Sequence, residues 1–162
     1  SQKDKVQYFR SYILSKLRYG LSTIWLFTSQ RRRIDGLVAR CLRSILRIPA
    51  AYVSRISNAT VYEKAGMKPF SQQILKHQMQ LLRKVAAQSH DHPLRVDTFE
   101  GATLNPQIGR YVRRIGRPRQ DWTTQLLREG RMRVGVQRFD CLISDRSDGA
   151  DMRWKSELEK CF

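Results

Sequence analysis

The sequence predicts a mainly α-helical protein: a small bundle built on an antiparallel helix hairpin, then a long basic loop and a short C-terminal appendage. Three observations lead there. Apolar residues recur at steps of three and four in several segments, N-capping side chains precede those segments, and Gly or Pro punctuates their ends.

In the first segment Val6, Phe9, Ile13, Leu17, Leu21 and Ile24 form an apolar stripe on one side of a helix, weakened only by Gly20. Thr28 and Ser29 are natural N-caps for a second helix that opens on Arg31, Arg32 and Arg33. There Ile34, Leu37, Val38, Cys41, Leu42 and Ile45 keep the same step, while Arg33, Arg40, Arg43 and Arg47 fall on the opposite side. The two helices should therefore pack antiparallel and leave an arginine ridge facing out.

Pro49 breaks the periodicity. Ser57 or Asn58 then caps a short helix carrying Val61, Tyr62 and Ala65, which Gly66 ends. Ser71 is the expected cap of a longer helix that buries Ile74, Leu75, Met79, Leu81, Leu82 and Val85 and shows Lys76, Arg83 and Lys84. A short helix, a glycine turn and a longer helix resemble a helix-turn-helix, a pattern that any small bundle also shows. Residues 1–88 read as one helical domain.

Residues 89–119 read as a basic linker, punctuated by His90-Asp91-His92-Pro93, Gly101, Asn105-Pro106, Gly109 and Gly116-Arg117-Pro118. Its end gathers Arg110, Tyr111, Arg113, Arg114, Arg117 and Arg119. Gly116-Arg117-Pro118-Arg119 favours an extended, polyproline-like backbone with arginines to either side, suited to a phosphate backbone or a minor groove. The plain alternative is a solvated linker. Residues 120–162 read as a short helical segment. Asp121 caps a helix carrying Trp122, Leu126 and Leu127 and closed by Gly130. Val134 to Ile143 fits a helix or a strand, and Trp154, Leu158 and Phe162 make an amphipathic end that docks or frays.

Charge is the dominant global property. The 162 residues carry 31 Lys/Arg against 14 Asp/Glu, a net +17. The excess is uneven: residues 1–50 hold eleven bases and two acids, whereas 121–162 hold eight of each. Arg predominates, which favours bidentate contacts to phosphate. RNA or DNA is the expected partner, ahead of an anionic membrane, with a solvated basic face as the plain reading. No apolar run approaches a membrane span. Three widely spaced cysteines, Cys41, Cys141 and Cys161, suit free thiols in a reducing, nuclear or cytoplasmic compartment. Their spacing matches no zinc motif.

Catalytic signatures are missing. There is no phosphate-cradling loop, nucleophile elbow or His-Glu-x-x-His. The first ninety residues contain only Asp4, Asp35 and Glu63, too few carboxylates for a two-metal centre. No enzyme activity, cofactor or metal is expected of this chain by itself. It opens on Ser1-Gln2-Lys3 without an initiator Met, as a fragment does.

In order along the chain, five pieces resemble the region that follows the polymerase palm in non-LTR (LINE-type) retrotransposon reverse transcriptases. They are Leu14-Ser15-Lys16-Leu17-Arg18-Tyr19-Gly20 with Trp25, Arg40 to Ile48, Asn58 to Gly66, the helix ending at Val85, and Gly116-Arg117-Pro118-Arg119 before Trp122. The resemblance covers about residues 8–130. It implies a helical thumb and linker that grips template–primer backbone through the helix-two arginines and the Gly-Arg-Pro-Arg strip. It also implies a palm domain of the same polyprotein as partner. The palm's Tyr/Phe-x-Asp-Asp is absent, Arg83-Lys84 stands where many relatives have Gly-His, and the later Cys/His knuckle is missing. A basic structural protein of a ribonucleoprotein and a decayed element relic are the competing readings.

Overall fold

A computed structural model describes residues 1–107 and 121–162. The strip from Arg110 to Arg119, with Arg110, Arg113, Arg114, Arg117 and Arg119, lies outside the described residues. Among those that are described, the regular structure is helical, with one isolated antiparallel bridge between Phe99 and Pro106. Two compact units divide the chain at Leu75/Lys76, inside its third long helix.

The first unit begins with a continuous helical rod: α1 (Gln2–Tyr8), a π-helical segment (Phe9–Leu14) and α2 (Ser15–Leu21). The π-turn moves the stripe. Its wider i→i+5 closure inserts one residue, so the inward positions run Val6, Phe9, Leu14 and Leu21. Ile13, Leu17 and Ile24, expected in the stripe, face solvent instead.

The second long helix is α3 (Thr28–Leu46), whose N-cap position is Phe27, one residue before the first of the expected caps. Neither Thr28 nor Ser29 caps it. The Phe27 N–H donates to Gln30 Oε1 at 2.9 Å, closing the first turn from within. The start of α1 and the end of α3 share a groove lined by Lys5, Tyr8, Phe9 and Ile45, so the two helices run antiparallel as expected. On α3, Val38, Ala39 and Leu42 are fully buried in the core of this unit, while Leu37 is exposed.

The chain then turns through α4 (Ala51–Ser54) into α5 (Asn58–Lys64), which packs on α3. Ser57 is the N-cap, its Oγ accepting from the Thr60 N–H at 3.2 Å. Gly66 takes the left-handed φ of +62° that ends the helix. Val61, Tyr62, Met67, Phe70 and Ile74 complete the core of this unit.

Ser71 does not cap α6 (Phe70–Ala86) with its own oxygen. It is a donor: its N–H and Oγ reach the two carboxylate oxygens of Asp35 at 2.8 and 2.6 Å. An acid from α3 thus occupies the positive end of α6, satisfying an otherwise orphaned N–H. Along α6 one half of the circumference is buried, through Ile74, Leu75, Gln78, Met79, Leu82, Arg83, Val85 and Ala86. Most of the other half is half-buried, leaving Gln72 and Lys84 exposed. Packing thus accounts for most of the surface of this helix.

In the second unit, the first part of the expected linker is folded. His92 Nδ1 accepts from the Leu94 N–H at 3.3 Å and caps α7 (Pro93–Thr98), with Pro93 at the first helical position. Phe99 is buried behind it, and the Gln107 N–H returns to the Thr98 carbonyl at 3.0 Å.

Helices α8 (Trp122–Val134), α9 (Val136–Ser144) and α10 (Ala150–Cys161) pack on one another. Asp121 caps α8 as expected, its Oδ2 accepting from the Thr124 N–H at 3.1 Å. Gly130 does not close α8; Gly135 does, at φ +94°. Gly130 lies mid-helix because the Phe139 ring of α9 occupies the space where its side chain would be. A Gly130→Ala change should therefore lower stability by about 1–3 kcal/mol through overpacking, against the gain of about 1 kcal/mol that Ala brings to an open helix. Urea denaturation followed by far-ultraviolet circular dichroism reads the sign. The Val134–Ile143 ambiguity resolves as helix, since Phe139 and Ile143 share a buried face at a step of four. The C-terminal end docks: Trp154 and Leu158 are buried.

Candidate nucleic-acid interface

The first unit carries fourteen Lys/Arg against three Asp/Glu, and the second seventeen against eleven. How the acids are used sharpens that contrast. In the second unit several are engaged by bases: Arg131–Asp140 at 2.9 Å, Arg133–Glu129 at 2.8 Å, Arg138–Glu157 at 2.7 Å and Arg153–Asp145 at 2.6 Å. Hydrogen bonds from Ser147 and then Arg153 hold the Asp145 carboxyl well below the usual range. In the first unit Asp35 is occupied by Ser71, and Asp4 accepts from the Ser1 amine at 2.7 Å. Burial, reinforced by the Asp35 charge, pushes the Tyr62 hydroxyl up and keeps it neutral, and it donates to the Asp35 carbonyl at 3.0 Å. These carboxylates hold structure together.

The expected arginine ridge divides into exposed and buried members. Arg32, Arg33, Arg40 and Arg47 are exposed, and among the described residues no carboxylate lies within ion-pair distance of them. Arg33 and Arg40 stand seven residues apart on one side of α3, about 10 Å along its axis, and Arg47 follows just past its end. Arg47, at φ +56°, is the left-handed C-cap. Arg31 is half-buried; its Nε donates to the Leu26 carbonyl at 2.9 Å and its guanidinium lies 4.5 Å from the Trp25 ring centroid. Its stacking is part of the turn between α2 and α3.

Arg43 is not on the ridge. It is 4% exposed, because the segment after Pro49 folds back over it. Its Nη1 donates to the Pro49 carbonyl and Ser54 Oγ, both at 3.3 Å, and its Nη2 to the Ile56 carbonyl and, at 3.3 Å, to Asn58 Oδ1. One side chain therefore closes the turns flanking α4, a job that the five fixed donors of guanidinium suit.

Arg83, expected on the surface of α6, is likewise interior at 2% exposure. It donates to the carbonyls of Ile143, at 2.7 Å, and Asp145, ending α9, and its Nε lies 3.6 Å from Asp151. Burial pulls its pKa down, with Asp151 and Asp145 opposing. Lys76 pairs with Glu159, and Lys84 alone of the three expected α6 cations is exposed. Arg95, which no sequence signal marks out, is buried in the same style, donating to the Ala86 and Ala102 carbonyls.

Aromatic side chains join the basic surface without having been expected there. Tyr8, Tyr12, Tyr19 and Tyr52 are exposed on the first unit, as are Lys5, Arg10 and Lys16, with Lys16 over the Tyr12 ring. A signal for them exists in the sequence: the tyrosines of the first helix fall off its apolar stripe. Basic groups without counter-charges, interleaved with solvent-facing rings, suit a polyanion that also offers π-faces. Comparison with protein-family models, with curated proteins and with solved structures finds no match to this chain.

Proposed function

We propose that this chain is a non-catalytic nucleic-acid-binding fragment that grips RNA or DNA by its backbone, in the manner of the post-palm thumb and linker of non-LTR retrotransposon reverse transcriptases. The observation that carries the reading is the set Arg33, Arg40 and Arg47, exposed and, among the described residues, without a carboxylate partner, in a unit of fourteen bases and three acids. Such a set neutralises phosphates and releases their counterions, which gives affinity without sequence readout. Arg32, exposed on the same helix, extends the basic surface of the first unit, the second unit offers the exposed Lys84 by itself, and a palm domain of the same polyprotein is the proposed protein partner.

The test is salt dependence. Binding of a fluorescent duplex should weaken steeply between about 50 and 200 mM salt. Replacing Arg32, Arg33 and Arg40 by Ala should reduce the log–log slope by about 0.7–0.9 for each phosphate no longer neutralised. Thermal stability should hardly change, because all three side chains are exposed. An unaltered slope in the triple variant would place the interface elsewhere.

A further inference from the structure

We propose that the α1–π–α2 rod carries a second site, which takes an unpaired nucleobase of single-stranded RNA or DNA and stacks it on Tyr8. The proposal rests on the nucleic-acid reading above and adds to it a preference for single strands. Tyr8 is 63% exposed and Tyr12 49%. Their rings already form a column, with centroids 5.5 Å apart and planes 17° from parallel. The Lys16 ammonium sits 4.2 Å from the Tyr12 centroid. Tyr8, Tyr12 and Lys16 follow one another at steps of four, so the column runs along the rod.

Beside Tyr8 opens a groove lined by Phe9, Ile13 and Ile45, by Lys5, and by Asp4, whose carboxylate is paired with the Ser1 amine at 2.7 Å. Ile13 is among the residues that the π-turn rotates outward. A planar, apolar-faced ring fits between the apolar part of this lining and the tyrosine face, while Lys5 is there for the attached phosphate. Charge chooses the occupant. Residues 1–21 carry Lys3, Lys5, Arg10, Lys16 and Arg18 against Asp4 alone. A folded protein seated here would bury several of these cations without counter-charge, whereas a nucleic-acid strand neutralises them and supplies the stacking face.

Duplex and single-stranded oligonucleotides of equal length, titrated against the full-length chain by fluorescence anisotropy, test the site. Tyr8→Leu should weaken single-strand binding by about 5- to 150-fold, the range for removing one stacked base. Duplex binding and the salt slope should stay as in the unsubstituted chain, because a stacked base is not a phosphate contact. Tyr8→Phe keeps the ring and should bind like the unsubstituted protein. Equal weakening for both ligands, or none in Tyr8→Leu, would overturn the stacking site while leaving backbone binding intact. A Tyr8→Leu change that instead converts a dimer to a monomer in sedimentation would show that a second copy covers the face. An unsubstituted chain that binds neither ligand removes this proposal together with its parent reading.

Discussion

Arg43→Ala should destabilise the protein by about 2–4 kcal/mol and leave the salt dependence of nucleic-acid binding unchanged. The truncation removes donors from the carbonyls of Pro49 and Ile56 and from Ser54 and Asn58, around a residue only 4% exposed. Each buried acceptor left unpaired costs about 1–3 kcal/mol, partly recovered where water enters the space. For a chain of this size the midpoint of thermal unfolding should fall by roughly 5–15 °C. Arg43→Lys should recover little, since a single ammonium cannot span acceptors spread over four residues. The contrast with Arg33→Ala is the point of the experiment: two arginines ten residues apart on one helix, one governing unfolding and the other governing the salt slope. An Arg43→Ala protein that melts like the parent and binds with a flatter slope would return Arg43 to the ridge.

Trp154→Ala should cost about 3–5 kcal/mol, as emptying a large buried aromatic site usually does. Trp154 is 2% exposed and meets Phe139 edge-to-face, centroids 5.6 Å apart at 60°. Beyond the buried area, that aromatic pair contributes about 0.5–1.5 kcal/mol, measurable as the coupling in a cycle of Trp154→Ala with Phe139→Leu. Trp154→Phe should be far milder, since among the described residues the buried indole N–H has no hydrogen-bond acceptor that the change would orphan. Guanidinium denaturation followed by circular dichroism at 222 nm gives all four values. If Trp154→Ala unfolds at the parent's denaturant concentration, the C-terminal helix is an unattached appendage.

Most helices were legible because their signals are local. The step of three and four in residues 34–45, the Ser57 and Asp121 caps and the Gly66 stop each depend on neighbours a few residues away. Two of the departures originate in contacts between different elements. Asp35 displaced Ser71's own capping role from 36 residues away. Phe139 made Gly130 a packing residue instead of a helix stop. The π-turn at Phe9–Leu14 is a local departure that moved the inward position from Ile13 to Leu14 and left Leu17 exposed, a change that periodicity counting at 3.6 residues per turn has no means of registering.

Composition and periodicity by themselves determined the helical class, the antiparallel hairpin and the concentration of positive charge in the first half. These follow from side-chain spacing and from a sum over residues. Which arginines face water was decided only by tertiary structure. Arg33 and Arg43 share the same residue type and the same helix, yet one is solvated and the other closes the turns flanking α4. A guanidinium is amphipathic enough to serve either role. Its role depends on whether later chain returns to cover it with carbonyls, and that information resides at Pro49, Ser54, Ile56 and Asn58 rather than at the arginine itself.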